Sequence, residues 1–134
     1  MPLKFQPKPG NIVICDFHGF VAPEMVKKRP VLVIAKNKHN AQLVTVVPLS
    51  TTRPNPVAPY HYNLRENPLP DKPKDLETWA KCDMVITVSL ARLDRYKVAR
   101  RQYVVPTLPT EELEAIRRCV AIALHIDKKH PGEG

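Results

Sequence analysis

Two apolar runs, Val31-Leu32-Val33-Ile34-Ala35 and Leu43-Val44-Thr45-Val46-Val47, most constrain what this chain can fold into. Both are rich in β-branched side chains, both are short for a helix, and only Thr45 breaks their apolar character. Runs of this kind read as strands buried on both faces. The polar link from Asn37 to Asn40 suits a turn, so the two runs are expected to pair as a central antiparallel hairpin. Pro30 opens the first run, where its missing N–H leaves no gap in the ladder. Lys27, Lys28 and Arg29 come just before it, so three cations are expected on a turn at the rim of the sheet.

The remaining segments supply further strands and one helix. Gly10-Asn11 precedes a strand over Ile12 to Phe17, and the aperiodic stretch His18 to Lys28, with Gly19 and Pro23, reads as a loop. Prolines at 54, 56, 59, 68, 70 and 73 forbid a helix between Arg53 and Lys74 and point to a long ordered loop. Within that loop Tyr60 to Leu64 suits a short edge strand. A helical turn is expected over Asp75 to Glu77, a strand over Met84 to Leu90, a polar basic connection over Arg92 to Arg101, and a last strand over Tyr103 to Val105. Thr110 is placed to cap a helix whose first turn carries Glu111 and Glu112. Leu113, Ile116, Val120, Ala123 and Leu124 give that helix an apolar stripe, and the tail from Asp127 to Gly134 is expected to fray. The fold class is mainly β with a C-terminal helix: a small curved antiparallel sheet or part-open barrel in a single domain spanning residues 1–134.

Composition narrows the function classes. A hydrophobic fraction of 43% in 134 residues allows a real core. No run reaches the eighteen or so apolar residues of a membrane span, and the N-terminus lacks a signal-peptide core, which predicts a cytoplasmic protein with no membrane partner. Cys15, Cys82 and Cys119 are odd in number and far apart, so they read as small buried hydrophobes rather than disulfide halves, with Cys15 and Cys119 expected in the core. Net charge of +8 and a pI near 9.6 favour a polyanionic partner. There is no glycine-rich phosphate loop, no CxxC or HExxH pattern and no GxSxG elbow, so no metal or other cofactor is expected.

Three segments leave polar residues at the ends of apolar strands: Pro23 to Pro30, Pro48 to Thr52, and Trp79 to Val85. If those strands are neighbours, one rim gathers a carboxylate, several cations and hydroxyl donors. That set suffices for metal-free RNA cleavage, which requires a base for the 2′-OH proton, cations for the growing phosphorane charge and an acid for the leaving 5′-oxygen. Asp83 suits the base, Arg29 and Lys81 suit charge stabilisation or the acid, and Ser50 or Thr51 suits a phosphate donor.

The blocks Gly10-Asn11-Ile12-Val13, Arg29-Pro30-Val31-Leu32-Val33-Ile34, Val46-Val47-Pro48-Leu49-Ser50-Thr51 and Lys81-Cys82-Asp83 resemble the MazF/PemK toxins of type II toxin–antitoxin pairs, over roughly residues 8 to 126. The resemblance implies an SH3-like barrel that forms a homodimer and cleaves single-stranded RNA, mRNA included, at short motifs without metal. It also implies a cognate antitoxin, acidic and with a partly disordered C-terminal segment. Carried over by position, Arg29 and Ser50 contact the scissile phosphate, Lys81 stands where an arginine acid is usual, and Asp83 matches the aspartate base. Two positions depart from the pattern: lysine replaces that arginine and loses its planar fork, and Pro23 replaces a histidine before Glu24. His18 and His61 are the available substitutes, with Glu24 as further support. Lys27, Lys28, Thr51, Thr52 and Tyr60 are candidate RNA contacts.

Plainer readings exist for each of these residues. Arg29 and the cluster Arg92, Arg95, Lys97, Arg100 and Arg101 suit a solvated face, Asp83 a loop acceptor, Ser50 and Thr51 turn residues, and Trp79 the core. Two other functions share the same barrel: a non-enzymatic gyrase-type inhibitor, and an RNA-binding module with an impaired catalytic centre.

Overall fold

The computed structural model describes residues 3–126. Nine strands and one helix follow in order: β1 (Ile12–Asp16), β2 (Lys28–Lys36), β3 (Leu43–Ser50), β4 (His61–Asn63), β5 (Trp79–Lys81), β6 (Ile86–Ser89), β7 (Leu93–Asp94), β8 (Tyr96–Ala99), β9 (Gln102–Val104) and α1 (Thr110–Ala123). Single 3₁₀ turns at Cys82–Met84 and Leu90–Arg92 link β5 to β6 and β6 to β7. The expected central hairpin is present: β2 and β3 pair antiparallel, with Val31 opposite Pro48 and Val33 opposite Val46. Strands run β4-β5-β3-β2-β1-β7 across the main sheet, and β6 joins the first half of β3 while β5 joins its last two residues.

A core lies on each face of this sheet. On one face Ile12, Leu32, Val47, Leu49 and Cys82 pack with Leu113, Ile116 and Val120 of α1. On the other, Val13, Cys15, Val31, Val33, Val44 and Val46 pack with Val88, Leu90 and Leu93. That second core draws its residues almost wholly from the sheet itself, so the sheet must curl over on itself to make it. A bulge at Ile34 interrupts the β2–β3 ladder, and Arg117 of α1 donates from Nε and Nη2 to the carbonyl freed there, at 3.0 and 2.6 Å. Glu112, only 4% exposed, accepts from Tyr62 Oη (3.1 Å) and the Arg65 backbone N–H (2.9 Å), tying the β4 end of the sheet to the same helix.

Several local expectations are corrected. Strand β2 begins at Lys28, so Lys28 and Arg29 belong to the strand and not to a turn. The ladder with β1 extends that far because Asp16 opposes Lys28 and Cys15 opposes Arg29. Likewise β3 runs on to Ser50 because β5 pairs with its end. Strand β1 stops at Asp16, and β6 is shortened to Ile86–Ser89 by the 3₁₀ turn before it. The turn expected over Asp75 to Glu77 lies slightly earlier, closed by Leu76 N–H to Pro73 C=O, and is a single turn with no helix there. The stretch 92–101 is no mere connection, since it holds β7 and β8, and β8 pairs with β9 around Arg101 at φ 59°. The helix is entered from Pro109, with Thr110 already its first helical residue and no side-chain cap. Leu113, Ile116 and Val120 are buried, whereas Ala123 and Cys119 are half-buried and Leu124 is 49% exposed at the helix end. The tail expected to fray lies outside the described residues.

Burial pushes the Cys15 thiol from 9.0 up to about 12, and burial together with the Asp71 hydrogen bond pushes the Tyr96 hydroxyl from 10.0 up to about 12. Both groups hold protons in the folded state that the unfolded chain releases first. Their contribution is therefore complete below about pH 9 and is lost as pH rises towards 12. Denaturant unfolding across that range, with reductant present, is expected to show falling stability, and a shallower fall in Cys15→Ala. A second test concerns Glu112. Glu112→Ala leaves two donors without their acceptor and is expected to cost about 2–4 kcal/mol, with Tyr62→Phe costing about half as much.

Candidate functional site

Strand register sets the layout of the site. Val31 faces Pro48, so two residues outward Arg29 stands beside Ser50, and both follow the face of Val31 and Val46. Ser50 faces Trp79 across β3 and β5, which puts Lys81, two residues from Trp79, on the same face. Ala80 and Cys82 alternate to the opposite face, and the Cys82 thiol is buried against the Ala80 and Ile116 carbonyls (3.7 Å each). Its hydrogen bond with Cys119, then burial, pushes that thiol well above its usual range. This anchoring on the helix side holds the flanking Lys81 on the face of Ser50.

Arg29, Ser50 and Lys81 line one cavity of about 400 Å³, with Glu24, Lys27 and Thr52 on its rim and Met25 and Met84 on its walls. Among the described residues the Arg29 guanidinium and the Lys81 ammonium make no hydrogen bond or ion pair, so both are open to an anion. The Ser50 Oγ accepts from the Thr52 backbone N–H (3.0 Å), which fixes the oxygen and leaves its proton to donate. Such an assembly of two cations and a hydroxyl is suited to a phosphate.

Asp83 does not line this cavity. Its 42% exposed carboxylate borders an adjoining hollow that shares Pro23, Glu24, Met25 and Met84 with the first. His61 lies opposite Lys81 in the β4–β5 ladder, and its Nε2 is 3.9 Å from the Asp83 carboxylate. Because His61 Nδ1 accepts from the Ala58 N–H (2.9 Å), the neutral ring carries its proton on Nε2, facing Asp83. Glu24 borders both hollows, but one of its oxygens accepts from the Val21 N–H (2.7 Å) and closes the loop it sits on.

Other expected residues fall elsewhere. His18 is exposed outside both hollows. Lys28 alternates to a separate groove with Arg92, Arg95 and Lys97. Tyr60 is packed edge-on against His61 (4.7 Å) and partly covered by the core. Thr51 borders a third hollow beyond Arg29 and Ser50. Trp79 is core, 5% exposed. Arg92, expected on a solvated face, instead donates to the Asp16 and His18 carbonyls (3.0 and 2.8 Å) and covers the Phe20 ring at 4.7 Å. It braces the start of the loop that carries Glu24 and Lys27. Met25 and Met84 had no sequence signal as site residues, being scattered apolar residues in irregular segments.

The chain falls in a known class. A family model described as the PemK-like, MazF-like toxin of type II toxin–antitoxin system matches residues 8–124. The chain belongs to that toxin family. The uncharacterized protein YifN of Escherichia coli (strain K12) is 34% identical over 144 residues, covering 90% of this chain and 93% of its own. Similar solved structures include MazF from Deinococcus radiodurans, with a TM-score of 0.67 at 16% identity, covering 91% of this chain and 99% of that one. An endoribonuclease from Mycobacterial species superposes with a TM-score of 0.63 at 19% identity, covering 92% and 96%. An endoribonuclease in complex with its cognate antitoxin, also from Mycobacterial species, does so at 0.61 and 21% identity, covering 92% and 99%. At these identities the structures speak for the fold: mainly β with one C-terminal helix, as the sequence led us to expect.

Arg92→Ala removes two charge-assisted hydrogen bonds and the cover of Phe20, and is expected to cost about 1–3 kcal/mol. Limited proteolysis should then cut within residues 18–27 well before the rest of the chain, whereas Arg92→Lys should show an intermediate rate.

Proposed function

We propose that this toxin is an endoribonuclease that cleaves single-stranded RNA, mRNA included, at short sequence motifs by attack of the substrate's own 2′-OH. The observation that carries the reading is the placement of Arg29, Ser50 and Lys81 on one face around one cavity, with Asp83 and His61 beside it. In the reaction Asp83 takes the 2′-OH proton, assisted by His61, while O2′ bonds to phosphorus. Arg29 and the Ser50 hydroxyl carry the charge that grows on the phosphoryl oxygens. Lys81 gives a proton to O5′ as the P–O5′ bond breaks, leaving a 2′,3′-cyclic phosphate and a 5′-OH. The nucleophile belongs to the substrate and the cations belong to the protein, so the reaction as written draws on no metal. Lysine in place of the family's arginine supplies a single-point cation rather than a bidentate fork. Lys27 and Thr52 extend the phosphate-binding rim. The same basic face, in a chain of net charge +8, suits an acidic segment of a cognate antitoxin, and the active unit is a cytoplasmic homodimer.

The test is cleavage of a long single-stranded RNA in EDTA by antitoxin-free protein, with mapped ends and the equivalent DNA as control. Expected are cuts at a short recurring motif, none on DNA, a fall of about 10²–10⁴-fold in Asp83→Ala, and one of about 10²–10³-fold in Arg29→Ala. Cuts that survive Asp83→Ala but vanish in Glu24→Gln move the base to Glu24. Salt-sensitive RNA binding with no product in the wild type would overturn the enzymatic reading and favour the impaired RNA-binding module, to which the separation of Asp83 from the main cavity also lends weight.

A further inference from the structure

Arg29 and Ser50 do not line one hollow only. On their other side lies a cavity of about 250 Å³ whose far wall is the proline-rich arm between β4 and β5. The arm is built as a closed loop. Leu64 N–H meets Thr78 C=O (2.9 Å) at its base, and Asn67 N–H meets Lys74 C=O (2.9 Å) further out. The buried Asn67 side chain donates to Thr78 Oγ1 and accepts from Leu69 N–H, both at 2.8 Å. Leu64 and Leu69 sink into the core on the helix side, and Tyr96 Oη donates to the Asp71 carboxylate at 2.7 Å, fastening the tip of the arm to β8. The arm is thus hydrogen-bonded at its base, along its length and at its tip, and its inner surface walls the hollow.

That wall gives the hollow a particular chemistry. Leu69, Tyr96 and the Pro30 and Pro68 rings offer flat apolar surface, while Thr51 and Lys72 stand at the polar edge. Asn67 and Thr78 also line it, but their side-chain groups are already engaged within the arm. Among the described residues the Lys72 ammonium has no partner. At about 250 Å³ the hollow is smaller than the ~300–1,000 Å³ of a drug-sized ligand pocket, a scale that suits one ring system. A phosphate held between Arg29 and Ser50 would have one flanking nucleotide over the Lys81 cavity and the other over this hollow.

We propose that the arm forms a nucleobase subsite next to the phosphate contact, selective for a base that presents a carbonyl rather than an amine at purine C6 or pyrimidine C4, guanine or uracil. Lys72 is the specificity residue, since an ammonium has three donors and no acceptor and cannot pair with the exocyclic amines of adenine or cytosine. The inference rests on the RNA reading above for its ligand, but not on cleavage. The test is selection from a randomised single-stranded 2′-fluoro RNA pool, which lacks the attacking hydroxyl, run beside motif mapping on cleavable RNA. Wild-type protein should enrich guanine or uracil at one position, next to the cut if cutting occurs. Lys72→Ala, an exposed change, should lower that enrichment about 5–10-fold at that position alone, and Tyr96→Phe, which frees the arm tip, should blur it. An unchanged profile in Lys72→Ala, or a loss spread evenly over all sequences as for a plain phosphate contact, would overturn the subsite. A wild type that selects the base yet cuts nothing would sink the nuclease reading and leave the subsite standing; cuts with no base preference at a flanking position would do the reverse.

Discussion

The antiparallel pairing of β2 with β3 is the constraint on which the rest depends. It sits at the centre of the main sheet, contributes to a core on each face, and fixes by its register that Arg29 comes to Ser50. Side chains alternate with a period of two, so a slip of one residue would turn Arg29 towards the helix and bury a cation in an apolar core. Ordinary strand packing therefore determines where the Arg29 cation can be, and the two-sided burial of Val31 to Val33 makes that register hard to change.

Around this pairing, charged side chains join the irregular segments to the sheet. Arg117 meets the carbonyl that the Ile34 bulge leaves open, Glu112 holds the strand before the proline-rich arm, and Arg92 holds the loop after β1. Each supplies a partner to backbone groups that sheet pairing has left without one. The result is a site assembled from the ends of three strands, a 3₁₀ turn and two loops. Its open cations belong to β2 and β5, while most other polar groups nearby are engaged in holding the loops.

The central hairpin was legible because uninterrupted β-branched runs have few alternatives, and the helix because its apolar residues recur at helical spacing. What escaped was decided by pairing at a distance. Nothing local in Lys28-Arg29 announces a strand; β1 recruits them through Asp16 and Cys15. The Arg92–Arg101 stretch looks like a charged linker, yet Leu93, Tyr96 and Val98 are apolar enough to seat short strands once the sheet offers them a surface. Arg92 itself could not be read as a brace, because its acceptors are carbonyls more than seventy residues away. Lys72 and Tyr96 went unread for a similar reason: the docking of the arm against β8, and not its composition, brings them to a shared hollow.

Trp79 carries a consequence of its own. It is the sole tryptophan, its backbone pairs with that of Ser50, and the Arg53 guanidinium stands 5.6 Å from its ring, itself paired to Glu77 at 3.4 Å. Its indole Nε1 is buried with no hydrogen-bond partner among the described residues, an arrangement that ordinarily costs about 1–3 kcal/mol and is uncommon in a settled core. The chain thus has a built-in fluorophore directly across the ladder from Ser50, beneath an exposed guanidinium. Its emission is positioned to register occupancy of the site with no label attached.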